Sequence, residues 1–206
     1  MKRRAFLGTS GAAAAALTGT TGCNRQTGQS GLSRSSEGMA VGEGGLIAEQ
    51  TLEQLRDRYL ADLNEYKEFQ HKYVVDKEYG GYCLHTDWDG PPLSWEKRAW
   101  YEGRGTWSFM HLYNNLDPDP RHLEAARRSV EFVMKHYPQG DQFFPADFTR
   151  EGKPGKLEVN LYGDIFVANG FVQYSKAKGN EKYWDTAKEI VMKCVRMYDK
   201  PGYNAT

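Results

Sequence analysis

The chain has 206 residues, and its 27 basic and 27 acidic residues give a formal net charge of zero. No basic patch interleaved with aromatic residues occurs along it, which argues against nucleic-acid binding. The three cysteines form no CxxC motif and no His/Cys cluster with zinc spacing, so neither a disulfide framework nor a metal site is predicted. The sequence also lacks a GxGxxG motif or P-loop, so we expect no nucleotide cofactor.

The N-terminus has the pattern of an export signal. A twin arginine at positions 3–4 precedes a weakly apolar run over 12–17, which is typical of a twin-arginine signal and too short to span a membrane permanently. Cys23 follows a small residue, as at a lipoprotein attachment site, and simple cleavage near Ala15 or Thr20 is the alternative. We expect an exported protein, either periplasmic or held at the membrane by a lipid on Cys23.

The composition divides the chain into three predicted segments. Residues 1–23 form the signal, and residues 24–43 form a flexible linker because they are polar, rich in Gly and Ser, and without periodicity. Residues 44–206 are enough for one hydrophobic core.

Hydrophobic periodicity predicts five helices in this last segment. They cover residues 45–72, 98–115, 121–136, 158–178 and 181–198. The first contains an apolar stripe at intervals of three or four residues, namely Leu46, Leu52, Leu55, Tyr59, Leu63 and Tyr66. Pro118 and Pro120 end the second helix, and Gly179 ends the fourth.

Two segments between the helices are predicted to form short strands and turns. Gly80-Gly81 permits positive φ, and Asp89-Gly90 is typical of a hairpin turn, so residues 76–90 are expected to contain two short strands. Residues 143–155 are predicted to form a second hairpin-like loop.

A weak internal repeat relates the second and third helices to the fourth and fifth. A shift of 61 residues aligns Tyr113 with Tyr174, Ala126 with Ala187, Val130 with Val191, and Tyr137 with Tyr198. Two helix–turn–helix units that superpose in this way indicate an array of αα-hairpins.

The second helix has two different faces. One carries Trp100, Arg104, Trp107 and His111, and the opposite one carries Phe109, Leu112, Tyr113 and Leu116. The second face is an ordinary core face. On the first, indole rings can stack on the C–H groups of a sugar while the guanidinium donates to its oxygens. The alternative is that this face is also core, with Arg104 bracing the indoles through cation–π contacts.

Three motifs carry a family resemblance. They are Asp76-x-x-x-Gly80-Gly81-Tyr82, Trp95-x-Lys97-x-x-Trp100-x-x-Gly103-Arg104-x-x-Trp107, and Leu112-Tyr113. Over residues 50–200 the chain resembles the first half of the N-acylglucosamine 2-epimerase family, which includes cellobiose 2-epimerases and aldose–ketose isomerases. The resemblance implies an all-α fold, a partial (α/α)6 barrel or toroid built of αα-hairpins with short β-hairpin loops.

The resemblance also implies where a sugar is bound. Arg104 matches the family arginine that holds the sugar near its ring oxygen, and Trp100 and Trp107 flank it. Asp164 matches a polar position on the following inner helix, and Asn160 shares its face at i, i+4. A capping or solvated carboxylate is the alternative for Asp164.

The family's two catalytic histidines lie in the half that this sequence lacks, and none of its own five matches them: His71, His85, His111, His122 and His136. The catalytic residues are therefore unassigned. The chain is expected to need its missing C-terminal half or self-association, and to be inactive alone.

Completed, it is expected to epimerise or isomerise a mono- or disaccharide at C2 of an aldose. A glycoside hydrolase or lyase on the same barrel would instead need paired carboxylates, for which Glu102, Asp164, Asp87 and Asp147 are candidates. A non-catalytic sugar-binding fragment is the third alternative.

Overall fold

The computed structural model describes residues 46–47, 49–201 and 203. The chain divides into two compact units, residues 1–49 and 50–206, and the helices and strands described below belong to the second. The predicted export signal and linker lie outside the described residues. No helix in the described part of the chain is long and apolar enough to cross a membrane.

The structure is mostly helical, as predicted. Its helices are α1 (Leu52–Phe69), continued by a π-helical turn (Gln70–Val74), α2 (Ala99–Asn115), α3 (Pro120–Met134), α4 (Tyr162–Lys178) and α5 (Glu181–Tyr198). Its short strands are β1 (His85–Thr86), β2 (Pro92–Ser94), β3 (Lys97–Arg98) and β4 (Asp147–Phe148).

Local capping sets the helix ends and corrects two predicted starts. Helix α1 begins at Leu52 rather than at residue 45, because the Thr51 side chain accepts from the backbone N–H of Gln54 in a capping box. Helix α4 begins at Tyr162 rather than at residue 158. Gly179 ends α4 in the left-handed conformation with φ 59°, as predicted.

Two helical hairpins stack side by side. Helix α2 packs along α4, α3 packs behind α2, and α5 packs behind α4. The two inner helices approach closely at Gly103, where a Cβ atom would overlap the backbone of Phe166. Gly170 lies against the same contact, with its Cβ position 2.7 Å from the Gly103 carbonyl oxygen. The predicted array of αα-hairpins is therefore present over these four helices, and closure of a barrel is not.

The core lies between the inner and outer helices. Its largest fully buried apolar side chains come from the helices and from the loop before α4, and include Phe144, Phe171, Met110, Ile190 and Val130. Phe109 belongs to this core as predicted, but Leu116 on the same predicted face is 63% exposed, because it is the C-cap where α2 ends.

Two apolar surfaces remain exposed at the two ends of the array. On α1, Leu52, Tyr59 and Tyr66 are more than half exposed, so three of the six residues of the predicted stripe are largely uncovered. On α5, Trp184, Val195 and Tyr198 are 46%, 49% and 62% exposed.

The internal repeat shows that the surface on α5 is exposed where the matching position on α3 is buried. Val130 on α3 is 1% exposed, whereas its repeat partner Val191 on α5 is 39% exposed. The same position of the repeat is covered in one hairpin and open in the next.

The loops partly follow the prediction. Strands β1 and β2 pair in an antiparallel hairpin whose turn contains Gly90 at φ 126°. The second loop turns back on itself as predicted, with antiparallel bridges between Pro145 and Leu157 and between Phe148 and Pro154. Its strand β4 also pairs with β3, which ties the loop between α3 and α4 to the start of α2. Cys83 and Cys194 are buried free thiols and do not pair.

Candidate functional site

The stripe on α2 faces open space. Arg104 is exposed, and Trp100, Trp107 and His111 are each partly accessible. The Arg104 guanidinium lies 5.8 Å from the ring centroid of Trp100, and the Trp107 and His111 rings stack at 4.9 Å. We refer to these four residues as the aromatic wall.

The guanidinium of Arg104 is held by rings alone. Besides Trp100 it lies 5.4 Å from the ring of Phe166 on α4. Among the residues that the structure describes, no hydrogen bond or ion pair involves its nitrogen atoms. The cation–π contacts therefore orient the side chain while its N–H groups stay available to a ligand.

Two aromatic residues of α4 extend this surface and were missed from the sequence. Phe166 contacts Arg104, and Tyr162 packs on Phe166 with ring centroids 5.6 Å apart. Tyr162 is 65% exposed. Their i, i+4 spacing was the available signal, but their position beside α2 depends on the close approach at Gly103.

A cavity of about 320 Å³ opens between the end of α1 and α2. Trp100 and Arg104 line it together with Tyr66, Tyr101 and Leu112. Small-molecule sites begin at about this size and combine apolar walls with few polar groups. The cavity is thus large enough for one sugar ring beside the guanidinium.

Asp164 does not reach the aromatic wall. Its side chain is fully buried, with one oxygen accepting from the backbone N–H of Phe144 at 2.9 Å and the other 2.5 Å from Nζ of Lys193 on α5. Burial raises the pKa of this carboxyl, and Lys193 opposes that shift. The placement favours a structural role, joining α4 to α5, over the expected contact with substrate.

We expected Asn160 to share a helical face with Asp164, but it does not. It lies two residues before α4, and its side-chain oxygen accepts from the backbone N–H of Tyr162 at 2.9 Å. The correction follows from the later start of the helix.

Among the carboxylates considered for a hydrolase, Glu102 is fully buried. It accepts from Ser129 at 2.6 Å and from the backbone N–H of Tyr82 at 3.0 Å. Burial raises its pKa to about 7. Asp87 is exposed and Asp147 half-buried. Glu102 and Asp164 therefore fasten backbone segments rather than flank a cleft.

The Gly-Gly-Tyr motif explains why Glu102 is buried. Gly81 has φ +78°, and a Cβ atom there would lie 2.6 Å from a carboxylate oxygen of Glu102. Only glycine allows the turn to approach this closely, so the motif covers the Glu102 carboxylate in the first turn of α2.

The other residues of the resemblance form a buried ionic network. Lys97 and Asp76 are both fully buried and 3.0 Å apart. Arg150 donates to the same carboxylate at 3.0 and 3.2 Å, and its guanidinium lies 4.3 Å from the ring centroid of Trp95. These contacts hold the pKa of Asp76 down at about 2 against the effect of burial. Arg150 was missed because it is far from the motif in sequence.

The site is thus an exposed wall of aromatic rings and one guanidinium on the inner helices of stacked hairpins, supported from beneath by buried ionic contacts. This places the chain in the class of mostly helical proteins built of stacked αα-hairpins.

Comparison with curated proteins gives a more particular likeness. The chain is 25% identical over 146 residues to the N-acylglucosamine 2-epimerase of Mus musculus, an alignment that covers 69% of this chain and 35% of that protein. It is 27% identical over 121 residues to the cellobiose 2-epimerase of Dictyoglomus turgidum, covering 57% of this chain and 30% of that protein. No family model matches. The chain spans about a third of the length of these relatives.

Solved structures show the same fold. The cellobiose 2-epimerase of Spirochaeta thermophila superposes with a TM-score of 0.62 at 22% identity, covering 74% of this chain and 39% of that one. A family 76 glycoside hydrolase, a mannosidase from Bacteroides thetaiotaomicron, superposes with a TM-score of 0.52 at 19% identity, covering 66% and 38%. The resemblance to the N-acylglucosamine 2-epimerase family is confirmed.

Proposed function

We propose that this chain is the N-terminal part of an exported carbohydrate epimerase or isomerase that acts at C2 of an aldose. The observation that carries the proposal is the aromatic wall: an exposed guanidinium between indole and phenyl rings, without a carboxylate partner in the described part of the chain. The similarity to epimerases over 69% of the chain supports it.

In this proposal the wall binds the sugar and does not itself move a proton. Trp100 and Trp107 stack on the C–H faces of the ring, and Arg104 donates to its oxygens. Proton transfer at C2 needs a base and an acid with pKa values near the working pH. His111 is the histidine of the wall, and its ring is stacked on Trp107, which suits a supporting role. We infer that the acid and base are supplied by helices beyond this chain.

The exposed apolar surfaces support this inference. The stripe on α1 and the stripe on α5 lie at the two ends of the hairpin array, where further hairpins of a toroid would pack. The chain alone is therefore proposed to bind sugar without turning it over. Export rests on the predicted N-terminal signal and is part of the same proposal.

Glycoside hydrolysis is the second candidate, because the mannosidase noted above has the same fold. Of its four candidate carboxylates, two are buried in structural contacts. The remaining pair, Asp87 and Asp147, lies in the loops, and we propose no catalytic pair from them.

The test uses the chain with cellobiose and N-acetylglucosamine in D₂O. We expect saturation-transfer NMR to detect binding of at least one sugar, with no deuterium incorporation at C2 and no cleavage. Loss of the C2 proton would overturn the expected inactivity while supporting epimerisation. Release of glucose from cellobiose would support hydrolysis instead. Absence of binding to any aldose tested would contradict the proposed function.

A further inference from the structure

A cluster of three potential metal ligands lies where the end of α1 meets the start of α3. His71 belongs to the π-helical turn after α1, His122 to the first turn of α3, and Asp119 is the N-cap of α3. Nε2 of His71 and Nδ1 of His122 are 2.8 Å apart. One ligand atom from each of the three residues lies within 4.8 Å of the others.

The surroundings of Nε2 of His122 support a metal-ligand role for Nδ1 of the same ring. His122 is fully buried, yet its Nε2 has no hydrogen-bond partner in the described part of the chain. Its nearest acidic atom is Oδ2 of Asp117, at 3.8 Å. When Nδ1 of a histidine binds a metal, Nε2 carries the proton and is commonly directed at a carboxylate. The ring already has this orientation.

We propose that His71, His122 and Asp119 bind one divalent transition-metal ion, with zinc as the best match to two imidazoles and a carboxylate. Two nitrogen ligands of one tetrahedral zinc ion lie roughly 3.3 Å apart, given Zn–N bonds of about 2.0–2.1 Å. The two rings therefore have to separate by about 0.5 Å. A fourth ligand, water, is within reach because His71 lines a solvent-open cavity of about 860 Å³.

The charges around the cluster permit a cation. Asp117 pairs with Lys67 at 2.5 Å, and Arg121 pairs with both Glu68 and Asp119. These three carboxylates and two basic side chains together carry a net charge of −1 before a metal ion binds. Burial lowers the pKa of both histidines.

Such an ion would join α1 to the first hairpin. The two histidines are separated by 51 residues in the sequence, which is why no zinc-ligand spacing revealed them. The cluster is distinct from the aromatic wall, so its test does not depend on the proposed function.

The test is calorimetric titration of the tag-free chain with Zn²⁺, together with the visible absorption of bound Co²⁺. We expect one equivalent to bind, and His71→Gln and Asp119→Asn each to weaken binding at least about tenfold. Asn retains the helix cap, so Asp119→Asn removes the charge and its ion pair with Arg121 while the cap stays. His85→Gln, which alters an exposed histidine on β1, is the matched control and should bind like the wild type.

Circular dichroism checks that each variant keeps its helices. If His71→Gln loses its fold, Asp119→Asn decides the matter alone. The proposal fails if the wild type binds no Zn²⁺ at 100-fold excess of metal over protein, or if Asp119→Asn binds with wild-type affinity.

Discussion

The carboxylate of Asp76 and the ammonium group of Lys97 form an ion pair in which both side chains are fully buried, 3.0 Å apart. Lys97 also donates to the carbonyl oxygens of Gly80 and Arg150. The pair thus joins the turn after α1, the strand before α2 and the loop before α4. It fixes the base of the helix that carries the aromatic wall.

Replacing Lys97 with Met leaves the Asp76 carboxylate buried with only Arg150 as a charged partner. Breaking a buried pair from one side typically costs about 3–5 kcal/mol. We expect Lys97→Met to lower the free energy of unfolding by about 3 kcal/mol in urea titrations. Lys135→Met, at the exposed C-cap that follows α3, is the control. A loss for Lys97→Met no larger than that of the control would contradict the structural role of the pair.

The raised pKa of the buried Glu102 carboxyl predicts a specific dependence of stability on pH. Its pKa is raised from 4.5 to about 7 in the folded state, so between these values the folded chain binds more protons than the unfolded chain. The free energy of unfolding therefore falls as the pH rises from 4.5 through 7.

The neutral variant Glu102→Gln should lack this contribution. Relative to the wild type, we expect its free energy of unfolding to improve between pH 4.5 and 8 by an amount on the order of 3 kcal/mol. Glu131→Gln, at an exposed position on α3, is the control for the loss of a carboxyl group. Parallel pH profiles for wild type and Glu102→Gln would show that the carboxyl titrates normally.

Gly103→Ala tests the close approach of the inner helices. In an open helix this change stabilises by up to about 1 kcal/mol because alanine is the better helix former. Here the new methyl group overlaps the backbone of Phe166, so we expect a loss of at least about 2 kcal/mol in thermal or urea unfolding. Gly140→Ala is the control. Nothing lies within 4 Å of the Cβ position at Gly140, so this change costs only the backbone strain of its positive φ. A stabilising effect of Gly103→Ala would mean that α2 and α4 are further apart than described.

The exposed stripe on α5 predicts self-association of the isolated chain. Large unpartnered apolar patches are a liability in water. We expect sedimentation velocity to show concentration-dependent oligomers, and the double variant Val191→Lys and Val195→Lys to shift the chain to monomer. The double variant Lys182→Ala and Lys188→Ala, which retains the apolar stripe of this helix, is the control. A monomeric wild type at high concentration would argue against this surface as an interface.

Helix positions and the hairpin array were predictable because they depend on local hydrophobic periodicity and on the Pro and Gly residues that end helices. The fifth helix was predicted with its observed ends, and Gly179 has the expected left-handed conformation. The start of α4 was missed because the Asn160 side chain accepts from the backbone N–H of Tyr162 from outside the helix, a local contact that periodicity does not reveal.

The roles of buried polar residues were not predictable in the same way. Asp164 reads as a polar helix residue until Lys193, from the next helix, is placed 2.5 Å away. Phe166 lies against the Arg104 guanidinium only because α2 and α4 approach closely at Gly103. His71 and His122 meet across 51 residues of sequence. In each case the partner comes from another element, so the pattern along one helix carries no signal of it.

The central claim is that the exposed guanidinium of Arg104 contacts carbohydrate. The most direct measurement is the affinity of the chain for the sugar that binds best, by calorimetry or saturation-transfer NMR, in the wild type, Arg104→Ala and the control Arg127→Ala on α3. Losing a charged donor to a bound sugar costs about 1.5–3 kcal/mol, so Arg104→Ala should weaken binding at least about tenfold with helical content unchanged. Equal affinity in the wild type and Arg104→Ala would show that this arginine only braces the indoles.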